Sequence, residues 1–516
     1  MPDFVLDGTG AKVDIGQGYA LRAPGMTATG RTSEGPRKLG TRSPAAQEMP
    51  ALDAALADAN MTEVKQVELS DVRVQPPTGA TRGTRAPNGD DALELEVPVT
   101  GPDQGCIVLS VVDGALSWHV PLNVDNSVQT PATRGGGGAK FVFRIPNTAP
   151  PKAVASTGKR GIIGAVGKKL LKVLVYPITD PLLGPIGEHF ARKWETKKRP
   201  YGVRTFTPDN YQKPDVGAFT DADWTRMGSG RALMFVHGTF STAHGGFMQL
   251  PKAAIQELSD HYGGRVFAYN HFSLSDDPRK NALAFFDKIP ADVTLDVDII
   301  CHSRGGLVSR ALIEKASDGI DGSGKFTVGS VVFVGTPNAG TLLAQPDHMM
   351  GMIDRYTTAL NVLPTGPVEE ILEAIVATVK IIAHAAMKAL DGLMSMNPDG
   401  GYLKGVNRPS DVTTRYYAIA ANFEPNTPET APLKTVIKNK VGDAVVDRIF
   451  KNAHNDLVVP TDGVFTANGP HFPLDASSCL IFPAERGIWH SAYFEQPETV
   501  AKLKEWLMKP ATVPVA

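Results

Sequence analysis

The sequence predicts an α/β fold: a mainly parallel sheet covered by helices, with a helical lid-like insertion and a small β-rich domain in front. Three observations carry that reading. From about residue 201 to 510, continuous apolar runs alternate with stretches of helical period. Between about 341 and 410 a long, strongly apolar helical stretch interrupts the rhythm. Between about 64 and 147 the runs are short and alternating, separated by Gly, Pro and Asp clusters.

The bulk properties narrow the class. A chain of 516 residues is long enough for several domains. A formal net charge of −2 gives no electrostatic reason to expect nucleic acid as a partner. Glycine and proline crowd into the N-terminal third, so residues 1–60 read as a loop-rich arm. The three cysteines Cys106, Cys301 and Cys479 lie far apart without a C-x-x-C pair, against a disulfide scaffold or a structural zinc site. No signal-peptide pattern opens the chain and no apolar run is long enough for a membrane span, so a reducing cytoplasm is the expectation.

The elements follow in order. "KQVELSDVRVQ", "ALELEVPVT", "CIVLSVVDG", "LSWHVPLNV" and "KFVFRIP" read as five strands of a β-sandwich-like domain, with "TPATRGGGGAK" as a flexible hairpin or insert. Residues 150–200 read as an amphipathic helical connector. Ile162, Ile163, Val166, Leu170, Val173 and Leu174 share one helical face, and Lys168, Lys169 and Lys172 lie on another. Such a helix packs on a neighbour with its lysines in solvent, or lies on an anionic membrane. Residues 1–200 are thus a candidate contact with a membrane surface or protein partner. Beyond 201, "RALMFVHG", "RVFAYNH", "DVDIICHS", "VGSVVFVGTP", "TRYYAIAANF" and "SSCLIF" read as strands, with helices near 248–260, 279–288, 304–317 and 497–508. In the insertion, Glu370, Glu373, Lys380, His384, Lys388 and Asp391 form one narrow polar stripe on an otherwise apolar helical period. So wide an apolar face needs cover, over the sheet or as a lid on a hydrophobic site.

The chemistry centres on "DVDIICHSRGGLVSR", where a strand stops at Ser303 and becomes a helix at once. A serine in that tight turn projects its hydroxyl away from the backbone, and small residues are needed two before and two after it. Gly305 and Cys301 occupy those places. A serine hydroxyl needs a base, and the base needs an orienting acid; on such a fold the order is Ser, Asp or Glu, His. "NAHNDLVVP" places Asp456 on a loop after one strand, and "FPAERGIWHSAYF" places His490 on a loop before the last helix. Asp443, Asp447 and Asp462 are rival acids and His454 a rival base. His302 must point away from the serine, and Cys301 reads as a small packing residue, not a nucleophile. At the end of the first strand of this region, "FVHGTF" offers Gly238 as an inward turn and the Thr239 N–H as one oxyanion donor, with the Arg304 N–H as the second. His237 reads as a structural imidazole bonding within that turn.

Together, "FVHGTF", "CHSRGG", "VFVGTPNAGT", "HNDLVVP" and "GIWHSAYF" resemble the ordered signature of the α/β-hydrolase superfamily, most similar to bacterial lipases with a short His-Gly-x oxyanion turn. The resemblance spans about 225–508; Cys301 and Leu457 stand where that family usually has glycine. It implies Ser303, Asp456 and His490 as a triad, and Thr239 and Arg304 as oxyanion donors. The expected activity is hydrolysis of carboxylic esters, lipid or phospholipid esters above all, through an acyl-serine and without a metal or organic cofactor. An amidase or peptidase on the same triad, and a membrane- or partner-binding protein on a hydrolase scaffold, are the alternatives.

Overall fold

The computed structural model describes residues 3–35, 49–74, 92–101, 103–112, 114–122, 139–146, 169–178, 186–314, 324–362, 366–384, 390–407, 413–423, 455–467 and 471–508. The N-terminal part is built from β1 (Phe4–Asp7), β2 (Val13–Asp14), β3 (Ala20–Arg22), β4 (Met26–Glu34), α1 (Pro50–Asp58), β5 (Thr62–Val74), β6 (Ala92–Pro98), β7 (Gln104–Val112), β8 (Ala115–His119), β9 (Lys140–Pro146) and β10 (Lys169–Pro177). They form two antiparallel sheets, ordered β1-β4-β5-β10-β7-β8 and β2-β3-β6-β9. Alternate residues such as Val67 and Leu69, Leu93 and Leu95, and Leu171 and Val173 fill the core between them.

Two expectations fail here. Residues 1–60 are not a loop-rich arm: they hold four strands of these sheets and α1. Their glycines at positive φ, among them Gly8, Gly16 and Gly25, turn the chain tightly around short strands, so composition alone reads as loop. Nor is the stretch to 174 an amphipathic helix where it is described. Lys169–Pro177 is β10, hydrogen-bonded between β5 and β7. Lys169 is buried and donates to the Pro146 carbonyl at 3.0 Å, and Lys172 pairs with Glu63 at 3.3 Å. Lys169 and Lys172 thus face protein; residues 161–168, Lys168 among them, lie outside the described residues.

The second part contains α2 (Ile186–Lys198), β11 (Gly202–Thr205), α3 (Asp221–Gly228), β12 (Ala232–Val236), α4 (Ala243–Phe247), α5 (Lys252–His261), β13 (Val266–Asn270), α6 (Pro278–Phe286), β14 (Leu295–His302), α7 (Gly305–Ile313) and β15 (Phe326–Val334). After α8 (Met349–Val362), α9 (Val368–Ala383), α10 (Asp391–Met394) and α11 (Gly401–Val406) come β16 (Arg415–Ala421), β17 (Cys479–Phe482) and α12 (Pro497–Leu507). Its sheet runs β11-β13-β12-β14-β15-β16-β17, parallel except for the antiparallel edge strand β11. Both faces are buried: Met234, Ile299, Val331 and Phe333 face one core, and Phe235, Ile300, Val332 and Val334 the other.

The insertion packs between the sheet and the N-terminal part. Strand β8 is the edge of its sheet, and an edge leaves backbone groups unpaired. Here α8 supplies the partners. Leu116 N–H donates to Thr358 Oγ1 at 3.0 Å, Trp118 N–H to Asp354 Oδ1 at 2.8 Å, and the Trp118 indole to Thr357 Oγ1 at 3.1 Å. The polar stripe of α9 is likewise spent on neighbours. Glu370 binds His244 and Thr242, Glu373 pairs with Lys198, Lys380 donates to the Ala59 carbonyl at 2.9 Å, and His384 contacts the Tyr176 hydroxyl at 3.2 Å. Lys388 lies outside the described residues.

Candidate active site

Strand β14 delivers Ser303 to the carboxyl edge of the parallel sheet. Its φ of 53° lies in the left-handed region, which non-glycine residues rarely occupy. Such a turn survives only where its surroundings hold it. The Ser303 N–H donates to the Val334 carbonyl at 2.8 Å, and α7 starts two residues later. A Cβ at Gly305 would collide with the Val236 and His237 carbonyls. Cys301 is fully buried beneath the turn, and burial pushes its thiol pKa up to about 12, so no thiolate forms there at neutral pH.

The serine meets the two other residues that the sequence singles out. Ser303 Oγ lies 2.9 Å from His490 Nε2, and His490 Nδ1 lies 2.7 Å from Asp456 Oδ2. All three are buried, at 4, 1 and 1% exposure for Ser303, His490 and Asp456, so the couple works in a low dielectric. Asp456 is over-supplied with donors. Val458 and Val459 N–H reach Oδ1 at 3.1 and 2.8 Å, and the Tyr493 hydroxyl reaches Oδ2 at 2.8 Å. Burial raises its pKa, but the His490 charge and hydrogen bond, with the donors of Val459 and Tyr493, outweigh burial and hold the carboxyl below the ordinary range. With an ionised Asp456 on Nδ1, the His490 proton sits there and Nε2 is left to accept from the serine.

Other groups fix this couple. His302 Nε2 donates to the His490 carbonyl at 2.9 Å, and the His490 N–H donates to the Asp456 carbonyl at 3.0 Å. Leu457, where the resembling lipases carry glycine, adopts φ 86°, so the backbone keeps a glycine-like turn while the leucine side chain is buried. Asp462 is exposed on a short turn and is not in the couple; Asp443, Asp447 and His454 lie outside the described residues.

The turn after β12 packs on the serine: a Cβ at Gly238 would lie 2.7 Å from Ser303 Cβ. The backbone N–H groups of Thr239 and Arg304 donate to no described residue. The Arg304 side chain is buried and donates through Nε to the Gly392 carbonyl at 2.7 Å and through Nη2 to Asn281 Oδ1 at 3.0 Å and to the Asp276 carbonyl. Above the couple, the Tyr356 ring of α8 stands edge-on to His490 and to Phe240, at 6.1 and 5.7 Å between centroids. Tyr356 carries no motif of its own, and nothing in the motifs around His302 and Tyr493 says that these two side chains contact the couple; the packed fold brings them here.

Three rings, His237 and His271 buried and His302 half-buried, make the centre sensitive to acid. Burial, together with the neighbouring His490, brings His302 to about 3; burial and the Arg304 charge bring His271 to about 3; burial holds His237 well below the usual 6.5. The folded chain keeps these rings neutral while the unfolded chain protonates them near 6.5. The stability they contribute is therefore complete above 6.5 and is lost as pH falls towards 3. The slope is about 1.4 kcal/mol per pH unit for each ring, roughly 4 for all three. Urea unfolding is expected to shift to clearly lower midpoints between pH 7 and 5, and an unchanged midpoint would contradict this account.

No curated protein matches the sequence. Among solved structures, the chain is similar to the mature lipase BlEst2 of Bacillus licheniformis, with 15% identity, 54% of this chain and 92% of that chain covered, and a TM-score of 0.29. It is similar to lipase 1 of Pelosinus fermentans, with 11% identity over 54% of this chain and 99% of that chain and a TM-score of 0.34. The carboxylesterase CesB of Bacillus subtilis aligns at 13% identity over 55% of this chain and 85% of that chain, with a TM-score of 0.29. Residues 198–508, which carry the parallel sheet, the insertion and the serine couple, match one family along their whole length, and the chain belongs to that family, described as a domain of unknown function, DUF7379.

Proposed function

We propose that the chain is a serine hydrolase that cleaves carboxylic esters with an apolar acyl group, lipid or phospholipid esters, through an acyl-serine. The observation that carries this is the continuous Ser303–His490–Asp456 hydrogen-bond chain at 2.9 and 2.7 Å. His490 Nε2 takes the Ser303 proton as Oγ attacks the ester carbonyl. The oxyanion faces the N–H groups of Thr239 and Arg304, and His490 then protonates the leaving alcohol. Water, activated by the same imidazole, releases the acid from the acyl-serine.

The apolar acyl preference is supported by the insertion. Tyr356 stands edge-on to His490 and to Phe240, Met396 lies against Thr239 with its sulfur 3.9 Å from Oγ1, and α9 buries a wide apolar face that includes Ile371, Leu372, Ile375 and Val379. Because Ser303 is buried, entry of a long acyl chain requires α8 to move, and α8 is held by the edge of β8. In this reading α8 and α9 are the lid and the N-terminal sheets are what the lid closes against.

A series of p-nitrophenyl esters of increasing acyl length tests both points. The unmodified chain is expected to favour the longer acyl groups. Thr357→Val combined with Thr358→Val removes the threonine hydrogen bonds to β8, each worth about 1 kcal/mol, and leaves the one between Trp118 and Asp354. It should raise kcat/KM for the longest ester about tenfold while leaving the acetate within about twofold. A uniform change along the series would reject the lid.

A further inference from the structure

A trans peptide points its N–H and C=O in opposite directions, so the Thr239 N–H can face an oxyanion only while the Gly238 carbonyl is held the other way. Glycine does little to fix its own peptides. The structure supplies the restraint through two buried histidines outside the serine couple.

His237 Nε2 accepts the backbone N–H of His271 at 3.1 Å, and His237 Nδ1 lies 2.8 Å from the Gly238 carbonyl oxygen. A neutral imidazole has one proton. With Nε2 engaged as acceptor the proton is on Nδ1, and Nδ1 donates to that carbonyl. The preceding peptide is held too, since His271 Nε2 lies 2.9 Å from the His237 carbonyl oxygen and must carry the proton to bind it. The ring's one proton goes to this shorter contact, so His271 Nδ1 is left as an acceptor facing Arg304 Nη1 at 3.5 Å; the Phe272 carbonyl, 3.3 Å from Nδ1, takes its proton from the same Arg304 Nη1 at 3.4 Å. The two rings stack at 4.1 Å and 5° between planes. Burial and the Arg304 charge keep His271 neutral, as this tautomer pattern requires.

We infer that His237 and His271, with the tautomer of His271 set by the Arg304 side chain, are positioning residues that lock both peptides of Gly238 and aim the Thr239 N–H at the oxyanion. The inference rests on the ester-hydrolase reading and deepens it. Arg304 then has two parts: its backbone N–H is one donor, and its guanidinium fixes the orientation of the other.

The test compares His237→Leu, His237→Asn and His271→Phe on a soluble p-nitrophenyl ester, with affinity for a matching trifluoromethyl ketone as a second readout. His237→Leu removes the donor to Gly238 and should lower kcat about a hundredfold, as losing an oxyanion donor does, with KM within about threefold. Ketone affinity should fall in parallel with kcat/KM, because both depend on the oxyanion. His237→Asn keeps one donor and one acceptor and should recover about tenfold of the loss. His271→Phe preserves the stacked ring and the backbone N–H to His237 Nε2, and loses the hydrogen bond to the His237 carbonyl together with the Arg304 contact; it should lower kcat about tenfold, and it carries the test if His237→Leu does not fold. A folded His237→Leu with kcat within about threefold of the unmodified chain would overturn the inference. So would a folded His237→Asn no more active than His237→Leu, or a His271→Phe with unchanged kcat. If the unmodified chain shows no Ser303-dependent turnover, the hydrolase reading itself fails, and this inference with it.

Discussion

Replacing Ser303 by alanine is expected to lower ester turnover by about 10⁶-fold while leaving the fold and the ester KM nearly unchanged. The size follows from the arrangement. Among the described residues the hydroxyl is the one nucleophile in contact with His490 Nε2, and the thiol below it, Cys301, is buried and turned to the Val332 carbonyl at 3.3 Å. Removing Oγ also relieves nothing that the fold needs, because the strained turn is held by backbone contacts: the Ser303 N–H to Val334 and the Gly306 N–H to the Ser303 carbonyl at 3.0 Å. Residual turnover above that of water would come from the oxyanion donors alone, at about 10³- to 10⁴-fold. The check is initial-rate kinetics on a soluble ester beside a thermal melt. A folded variant that keeps a tenth of the activity would place the nucleophile elsewhere.

Asp456→Asn is expected to cost about 10⁴-fold in kcat by reversing a tautomer, with the geometry intact. The direction of the amide is decided by the site. Oδ1 accepts from two backbone N–H groups, those of Val458 and Val459, so the amide oxygen must take that side and the NH₂ must face His490. The NH₂ then donates to Nδ1, the His490 proton moves to Nε2, and Nε2 can no longer accept from Ser303. Tyr493, whose hydroxyl now donates to Oδ2, can turn and accept from the NH₂, so the loop keeps its bonds. Kinetics across the neutral range with a thermal melt would check this. A variant of normal activity would mean that Asp456 has no part in orienting the base.

Much of the site was legible because its chemistry is local in sequence. An apolar strand ending in His302-Ser303-Arg304-Gly305-Gly306 describes its own turn, and the loops holding Asp456 and His490 each follow or precede a recognisable strand. The parallel sheet was legible for the same reason: its strands are continuous apolar runs, buried on both faces. Residues 169–177 were not, because Leu170, Val173 and Leu174 satisfy a helical face as well as a strand. What decided between them was pairing with β7 and β5, more than 50 residues away in the chain at Val173↔Val108 and Val173↔Lys65. Residues 1–60 hide their strands behind left-handed glycine turns. The stripe on α9 was visible as a stripe, but no periodicity says whether Glu370 and Lys380 face water or His244 and Ala59. His271 and Tyr356 acquire their places only through contacts with Arg304, His237 and His490.

The N-terminal sheets are joined to the insertion as well as preceding it. Asp58 of α1 meets Lys198 of α2 at 2.7 Å, and the same ammonium meets Glu373 of α9 at 2.7 Å. With β8 bonded to α8, and Ala59 and Tyr176 to α9, both long helices of the insertion are attached to the front of the chain. Among the described residues no helix is long and apolar enough to cross a membrane.

The proposed chemistry requires an activated serine at residue 303. The most direct measurement is labelling of the intact chain with a fluorophosphonate, with and without detergent to loosen α8, followed by mass spectrometry of the labelled peptide. The account predicts one adduct on Ser303, absent in Ser303→Ala and retained in Cys301→Ser. No adduct under either condition, or an adduct on another residue that survives Ser303→Ala, would contradict it.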